Sequence, residues 1–337
     1  MSLRLRILLS LVGFGLAAVI IAHAGVETLL ANLASTGWLL IPVVLVWALV
    51  YGLSALAWRS TLTPLPRRPG FWRLYAISIA SFSLNNVTPV LGIGGEAYRA
   101  AAVTPWLGRR EAVGAVVQYR LLHSLAHMLF VLTALIPGIF LLPSTPLALA
   151  ILGLMGVFGA VIAWFLHQRH QEGVLEAGLD LLLAIPGIRR LARSLESRRE
   201  SLRAMDNQIT TIYHEHPVAF WRALGIEYVS RCSMSLELML VLYGLGLGFR
   251  PGAAFVALAL YTSISNLFFY IPMELGAREG GLYLVFSLLG LGGEHGVFVS
   301  IVTRLREMAW TLIGVALIWA TGDTLPEPVN GIAPPTA

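Results

Sequence analysis

The sequence predicts an all-α bundle in a membrane, built as two inverted repeats that each contain a broken, re-entrant helix. Three observations predict it. Hydrophobic residues make up 57% of the chain and charged residues 12%, against about a quarter charged in soluble domains. Long apolar runs alternate with arginine-rich loops over the 337 residues. Two of the apolar runs are interrupted by Pro/Gly clusters at matching positions. At roughly 20 residues per span, such a chain holds about six to nine spans.

In chain order, Arg4 and Arg6 precede an apolar run from Ile7 to Ala22. It reads as a first span with the arginines held inside; Ala22-His23-Ala24 also resembles a signal-peptidase site. A second span from about Trp38 to Trp58 has Trp at both ends, where interface anchors sit. Arg59, Arg67, Arg68 and Arg73 then mark a cytoplasmic loop. The apolar stretch Leu74 to Leu84 runs into Asn85-Asn86-Val87-Thr88-Pro89-Val90-Leu91-Gly92-Ile93-Gly94-Gly95-Glu96, through which no intact helix is expected. Ala112 to Leu142 and Leu147 to His167 are the next spans. Residues 168–220 form a cytoplasmic basic segment, and within it Ile188, Leu191, Leu195, Leu202, Met205, Ile209 and Ile212 mark an amphipathic helix. Trp221 to Leu247 crosses outward. Ala253 to Ile271 is apolar and breaks at Pro272 to Gly281, and Leu282 to Leu291 is too short to cross alone. Val297 to Thr321 is the last span, and the Pro-rich tail 323–337 is expected to be disordered. Residues 1–322 thus read as one membrane domain, with repeats at about 38–142 and 221–321.

The two breaks share one offset of 183 residues, Pro89 to Pro272 and Glu96 to Glu279. Each is followed by a span with a charged centre: Tyr119-Arg120-Leu121-Leu122-His123, then Thr303-Arg304-Leu305-Arg306-Glu307. Three crossings between the breaks would invert the second unit. Paired interruptions at corresponding places point to a transporter's substrate site.

Ionisable residues at membrane depth are expensive and usually functional. Glu96 and Glu279 stand just after the breaks, where they can meet a cationic head group, carry a proton, or cap a half-helix. Arg99 and Arg278 suit bidentate phosphate binding; an interface arginine is the plain alternative for Arg99. Arg120, His123 and His127 share one helix face, as a relay, a phosphate site or snorkelling groups. No third ligand accompanies the two histidines, so no metal is expected. Glu227 and Arg231 read as an intrahelical ion pair, and so do Arg304 and Glu307. Glu237 has no local partner and is expected to meet Arg304 or Arg306 across the bundle. The candidate substrate-binding set is Glu96, Arg99, Arg120, His123, Arg278, Glu279, Arg304 and Glu307.

Some chemistries are disfavoured. The aspartates are Asp180, Asp206 and Asp323, with no Asp-x-Asp pair for a metal-dependent glycosyl transferase. Neither a Walker A sequence nor a Gly-x-Gly-x-x-Gly fingerprint occurs. Cys232 is the single cysteine, which excludes an intrachain disulfide. The net charge of +5 is explained by cytoplasmic loops, not by nucleic acid.

Gly95-Glu96-Ala97-Tyr98-Arg99 and Pro272-Met273-Glu274-Leu275-Gly276-Ala277-Arg278-Glu279-Gly280 resemble the two signatures of the flippase-like membrane domain of lysylphosphatidylglycerol synthases. The resemblance runs from about residue 5 to 322. At the first signature, Gly94-Gly95 stands where Gly-Arg-x-Gly is common, so an anion contact at that place is not carried over. The resemblance implies lipid translocation across a bacterial inner membrane. It implies no aminoacyl transfer, since no transferase domain follows in the sequence. Stand-alone members are similar to proteins associated with hopanoid pathways, which makes a sterol-like lipid one candidate cargo beside phospholipids. The expected topology is multi-pass with the N-terminus and 168–220 cytoplasmic, without cofactor and with membrane lipids as partners. Two other classes remain open: a membrane enzyme using Glu96 or Glu279 on a lipid substrate, and a scaffold for cytoplasmic lipid-synthesis enzymes. An oligomer is compatible with all three.

Overall fold

The computed structural model describes residues 37–63, 65, 68–87, 93–169, 215–267, 274 and 276–321, with positions 27, 30, 31, 34 and 183. The expected first span, the amphipathic helix at 188–212, the tail and the centres of both breaks lie outside the described residues. The regular elements among the described residues are all helical. They are α1 (Leu40–Thr61), α2 (Phe71–Val87), α3 (Ile93–Leu107), α4 (Arg109–Leu141), α5 (Pro146–Arg169), α6 (Pro217–Ser233), α7 (Ser235–Gly244), α8 (Pro251–Leu267), α9 (Ala277–Leu288) and α10 (Gly293–Thr321).

Backbone groups in an apolar medium must be satisfied within the chain. The helix ends show how this is done. At the end of α1, Thr61 Oγ1 donates to the Trp58 carbonyl at 2.7 Å and Ser60 Oγ to the Leu56 carbonyl at 2.9 Å. At the start of α5, Thr145 Oγ1 accepts from the Ala148 amide at 3.3 Å, with Pro146 at the first helical position. Pro137 interrupts the α4 ladder near Thr133, and Tyr228 of α6 donates to Thr133 Oγ1 at 3.0 Å.

The glycine pairs of the two breaks behave differently from the sequence expectation. Gly94-Gly95 lies in the first turn of α3, and Gly280-Gly281 lies inside α9. Their cause is packing rather than chain reversal. A Cβ on Gly95 would run into the Ser81 carbonyl of α2, and one on Gly281 would sit 3.2 Å from Ile264 of α8. Each glycine thus lets the restarted helix press onto the helix before the break. The outward crossing from Trp221 also differs. It is two helices, α6 and α7, that meet at Met234, where the Met234 amide bonds the Arg231 carbonyl at 3.2 Å and Ser235 Oγ bonds the Cys232 carbonyl at 2.7 Å.

The packing is reciprocal. α2 packs on α10, and α8 packs on α4; α1 and α6 pack on each other. One apolar core, with Trp58, Leu74 and Val103, joins α1, α2, α3 and α4. Another, with Phe130, Leu242, Phe286 and Phe298, joins α4 and α7 to α10. The outer surface is apolar as well: Ile41, Leu45 and Leu49 form an exposed stripe on α1, and Leu312 and Trp319 are exposed on α10. Among the described residues, two helices, Gly37–Thr61 and Arg109–Leu141, are long and apolar enough to cross a membrane. Large apolar side chains on the outside and charges inside are the arrangement lipid favours.

A Cβ on Gly314 of α10 would run into Ser83 Oγ and lie 2.8 Å from the Ile79 carbonyl of α2, whereas Gly225 of α6 has open space. Gly314→Ala is therefore expected to lower stability by about 1–3 kcal/mol, read as a fall in the melting midpoint in detergent. Gly225→Ala is expected to be neutral or stabilising. Equal effects would mean that α2 and α10 are not in close contact.

Candidate functional site

Two clusters of charged side chains are strung along α1, one at Trp47 and the other at Ser54. Seven residues separate these positions, about 10 Å of helix.

The cluster at Trp47 gathers α7, α9 and α10. Arg306 meets Glu237 with two bonds of 3.2 Å, Nε to Oε1 and Nη2 to Oε2. The two side chains are 5% and 3% exposed. Trp47 Nε1 donates to Glu237 Oε2 at 2.6 Å, and the Arg306 guanidinium lies 3.8 Å from the centre of a Trp47 ring. Arg278 donates to Glu307 at 2.7 Å and to Glu274 at 3.2 Å. Arg304 reaches Glu279 Oε1 at 2.7 Å, and Glu279 Oε2 accepts the Gly276 amide at 2.8 Å. Glu279 therefore caps α9 and binds an arginine together, so the two sequence readings of it coexist. Gly276 has φ 75°, which a side chain would strain, and this positive φ makes the tight entry to α9.

The cluster at Ser54 gathers α3, α4 and α6. Glu96 lies 3.5 Å from Arg120 and 4.0 Å from Arg99. The Arg99 guanidinium packs over Trp58 and Tyr119, 5.4 and 5.2 Å from their ring centres. Glu227, 1% exposed, accepts from Tyr119 Oη at 3.1 Å, meets His123 Nδ1 at 2.6 Å and receives Ser54 Oγ at 3.4 Å. Arg231 bonds His123 Nε2. The imidazole thus stands between Glu227 and Arg231. Asn85 of α2 accepts the Gly95 amide at 2.7 Å and ties the restart of α3 to α2.

All eight candidate residues lie in these clusters: Glu96, Arg99, Arg120 and His123 in one, Arg278, Glu279, Arg304 and Glu307 in the other. Two expected helical pairs are corrected. Arg231 binds His123 rather than Glu227, because the imidazole lies between them. Arg304 binds Glu279 rather than Glu307, which is taken by Arg278 and by Arg306 at 3.6 Å. Arg306, not Arg304, is the partner of Glu237. The histidines diverge, since His127 Nε2 meets Asn266 at 3.1 Å. Trp47 and Tyr119 were missed; Tyr119 stands beside Arg120, but no sequence rule marks an aromatic as the partner of a distant carboxylate. A small pocket between α1, α7 and α10, lined by Leu39, Val43, Val241 and Phe298, is wholly apolar and offers nothing to a head group.

A family model described as the lysylphosphatidylglycerol synthase TM region matches residues 5–314. No curated protein and no solved structure matches the chain.

Removing Glu237 would strand the buried Arg306 charge. Glu237→Leu is expected to cost about 3–5 kcal/mol, while Glu237→Leu with Arg306→Leu recovers most of it. The melting midpoints of the single and double variants in detergent measure this; a double variant as unstable as the single one would show that the pair is not coupled.

Proposed function

The chain belongs to the family of the lysylphosphatidylglycerol synthase transmembrane region, membrane proteins of lipid metabolism or transport, and from that premise we propose that it carries a lipid head group across the bilayer between two inverted halves. The observation that carries the reading is a Glu–Arg pair at each helix restart, with Glu279 buried and Arg120 reaching the surface. Glu96 of α3 faces Arg120 of α4, and Glu279 of α9 faces Arg304 of α10. Discontinuous helices that aim their ends and charges inward are the substrate sites of repeat-built transporters.

The inverted repeat is supported by contacts that exchange under the offset of 183 residues. The offset turns Trp47 into Ser230 and Ser54 into Glu237. The bond Trp47 to Glu237 thereby becomes the bond Ser230 to Ser54, 3.1 Å long. It likewise turns Ser83 into Asn266 and His127 into Trp310. Ser83 Oγ bonds the Trp310 carbonyl at 3.1 Å, and Asn266 bonds His127. A two-fold axis in the membrane plane, passing between α1 and α6, accounts for both exchanges. In this reading, α2 with α3 and α8 with α9 are the two re-entrant pairs.

Of the two carboxylates that lipid chemistry could use, Glu279 is held by the Gly276 amide and Arg304, while Glu96 lies between Arg99 and Arg120 without a hydrogen bond to Oε2. A carboxylate held like Glu279 is poorly placed to take a proton from substrate. The cargo is a phospholipid or an isoprenoid lipid such as a hopanoid. The membrane is a bacterial inner membrane, with the arginine-rich 168–220 segment on its cytoplasmic side.

In liposomes carrying head-group-labelled lipid and quenched from outside by dithionite, the wild-type protein is expected to expose inner-leaflet label. Glu279→Gln is expected to slow this at least about tenfold, the loss of one charged hydrogen bond. A Glu279→Gln protein that melts like wild type and transports at the wild-type rate would remove the second restart from the pathway. A labelled lipid recovered with altered mass would point to an enzyme.

A further inference from the structure

The two clusters differ in charge. At Trp47, three arginines (278, 304, 306) face four carboxylates (237, 274, 279, 307), and each arginine has a carboxylate within 3.3 Å. At Ser54, Arg99, Arg120 and Arg231 face two carboxylates among the described residues, Glu96 and Glu227. Among these two carboxylates, Glu96 alone is within 4.0 Å of an arginine, and it serves both Arg99 and Arg120. The His123 ring stands between Glu227 and Arg231 and contacts both.

Among the described residues, Arg99 Nε and Arg231 Nε of this cluster are buried without a hydrogen-bond partner, as is Arg306 Nη1 of the other, which has Glu307 Oε1 at 3.6 Å. An unsatisfied buried donor is costly. Glu96 Oε2 also lacks a hydrogen bond, with Arg99 Nη1 as its nearest cation at 4.0 Å. In the second half an Arg278–Glu307 pair fills the middle of the cluster. The offset places Gly95 and Ser124 at those positions in the first half, so the equivalent volume holds no ion pair.

We propose that Arg99, Arg120 and Arg231, grouped about Tyr119 and His123, form an anion site for the phosphate of a lipid head group, and that the cluster at Trp47 is self-neutralised and takes none. This rests on the lipid-translocation reading and narrows it to phosphate-bearing lipids, with acidic ones preferred over zwitterionic ones. Arg120, whose side chain is 61% exposed, is the entry contact. Arg99, stacked between Trp58 and Tyr119, and Arg231, held by His123, are the inner ones. A guanidinium presents paired N–H groups that match phosphate oxygens.

The test uses the full chain in detergent and three probes: dihexanoyl phosphatidylglycerol, dihexanoyl phosphatidylcholine and inorganic phosphate. Binding is read by the melting midpoint. Wild-type protein is expected to bind the phosphatidylglycerol at least about tenfold more tightly than the phosphatidylcholine. Arg99→Gln and Arg231→Gln are each expected to weaken it by about ten- to a hundredfold, while Arg222→Gln, at a surface site on α6, leaves it unchanged. As a readout that needs no variant, phenylglyoxal modification of wild-type Arg120 is expected to be slowed by bound probe, with Arg222 unprotected. Binding of inorganic phosphate alone would assign the site to a free anion and overturn the head-group part. Binding of all three probes with equal strength, or binding that Arg99→Gln, Arg231→Gln and the protection assay leave untouched, would overturn the site. Lipid translocation that persists in such a case would leave the transport reading standing; selective binding without translocation would leave the site standing and remove the transport reading.

Discussion

Arg306 and Glu237 meet across 69 residues of chain in a setting where neither would be stable alone. An uncompensated charge in a low-dielectric interior costs several kcal/mol, so each side chain dictates the position of the other. The pair clamps α10 to α7. Through the Trp47 indole, which donates to Glu237 and faces the Arg306 guanidinium, it also clamps both to α1. The rest of the second half is arranged around this point. Glu307, the next residue after Arg306, is aimed at Arg278 at the start of α9. That fixes where α9 restarts, and Glu279 in turn closes the N-terminus of α9 and holds Arg304.

The first half solves the same problem with weaker means. Glu227 is satisfied by a tyrosine, a histidine and a serine, and the imidazole stands between it and Arg231. Arg99 relies on aromatic faces, whose attraction for a cation is about 0.5–2 kcal/mol. The second half is thus a lock of matched ions, and the first an open set of donors. In the proposed carrier, this asymmetry would let one half hold shape while the other holds cargo.

Much of this was legible in the sequence, for identifiable reasons. The spans from Trp38, Ala112 and Leu147 were marked by length and apolarity and match α1, α4 and α5. The need of Glu237 for a distant arginine followed from its lack of a local partner. What could not be read was set by tertiary contact. Spacing alone suggested Arg231 with Glu227 and Arg304 with Glu307, yet i, i+3 and i, i+4 proximity contributes only tenths of a kcal/mol. A neighbouring helix that offers a better-aligned group overrides it, as His123 and Glu279 do. The Pro/Gly runs were read as interruptions, and separate helices stand on either side of each, α2 and α3, then α8 and α9. What the runs could not reveal is that Gly95 and Gly281 are also the close-contact points of α3 on α2 and of α9 on α8.

The central claim is a path for polar groups that runs past α1 between the two clusters and opens to each side in turn. Ser54 lies on that path, bonded to Glu227 and Ser230. The most direct measurement places a single cysteine there, Ser54→Cys with Cys232→Ser, in protein of defined orientation in liposomes. A membrane-impermeant maleimide is then applied from either face. The account predicts labelling from both faces, with wild-type-like melting. Labelling from one face only, or from neither, would contradict it.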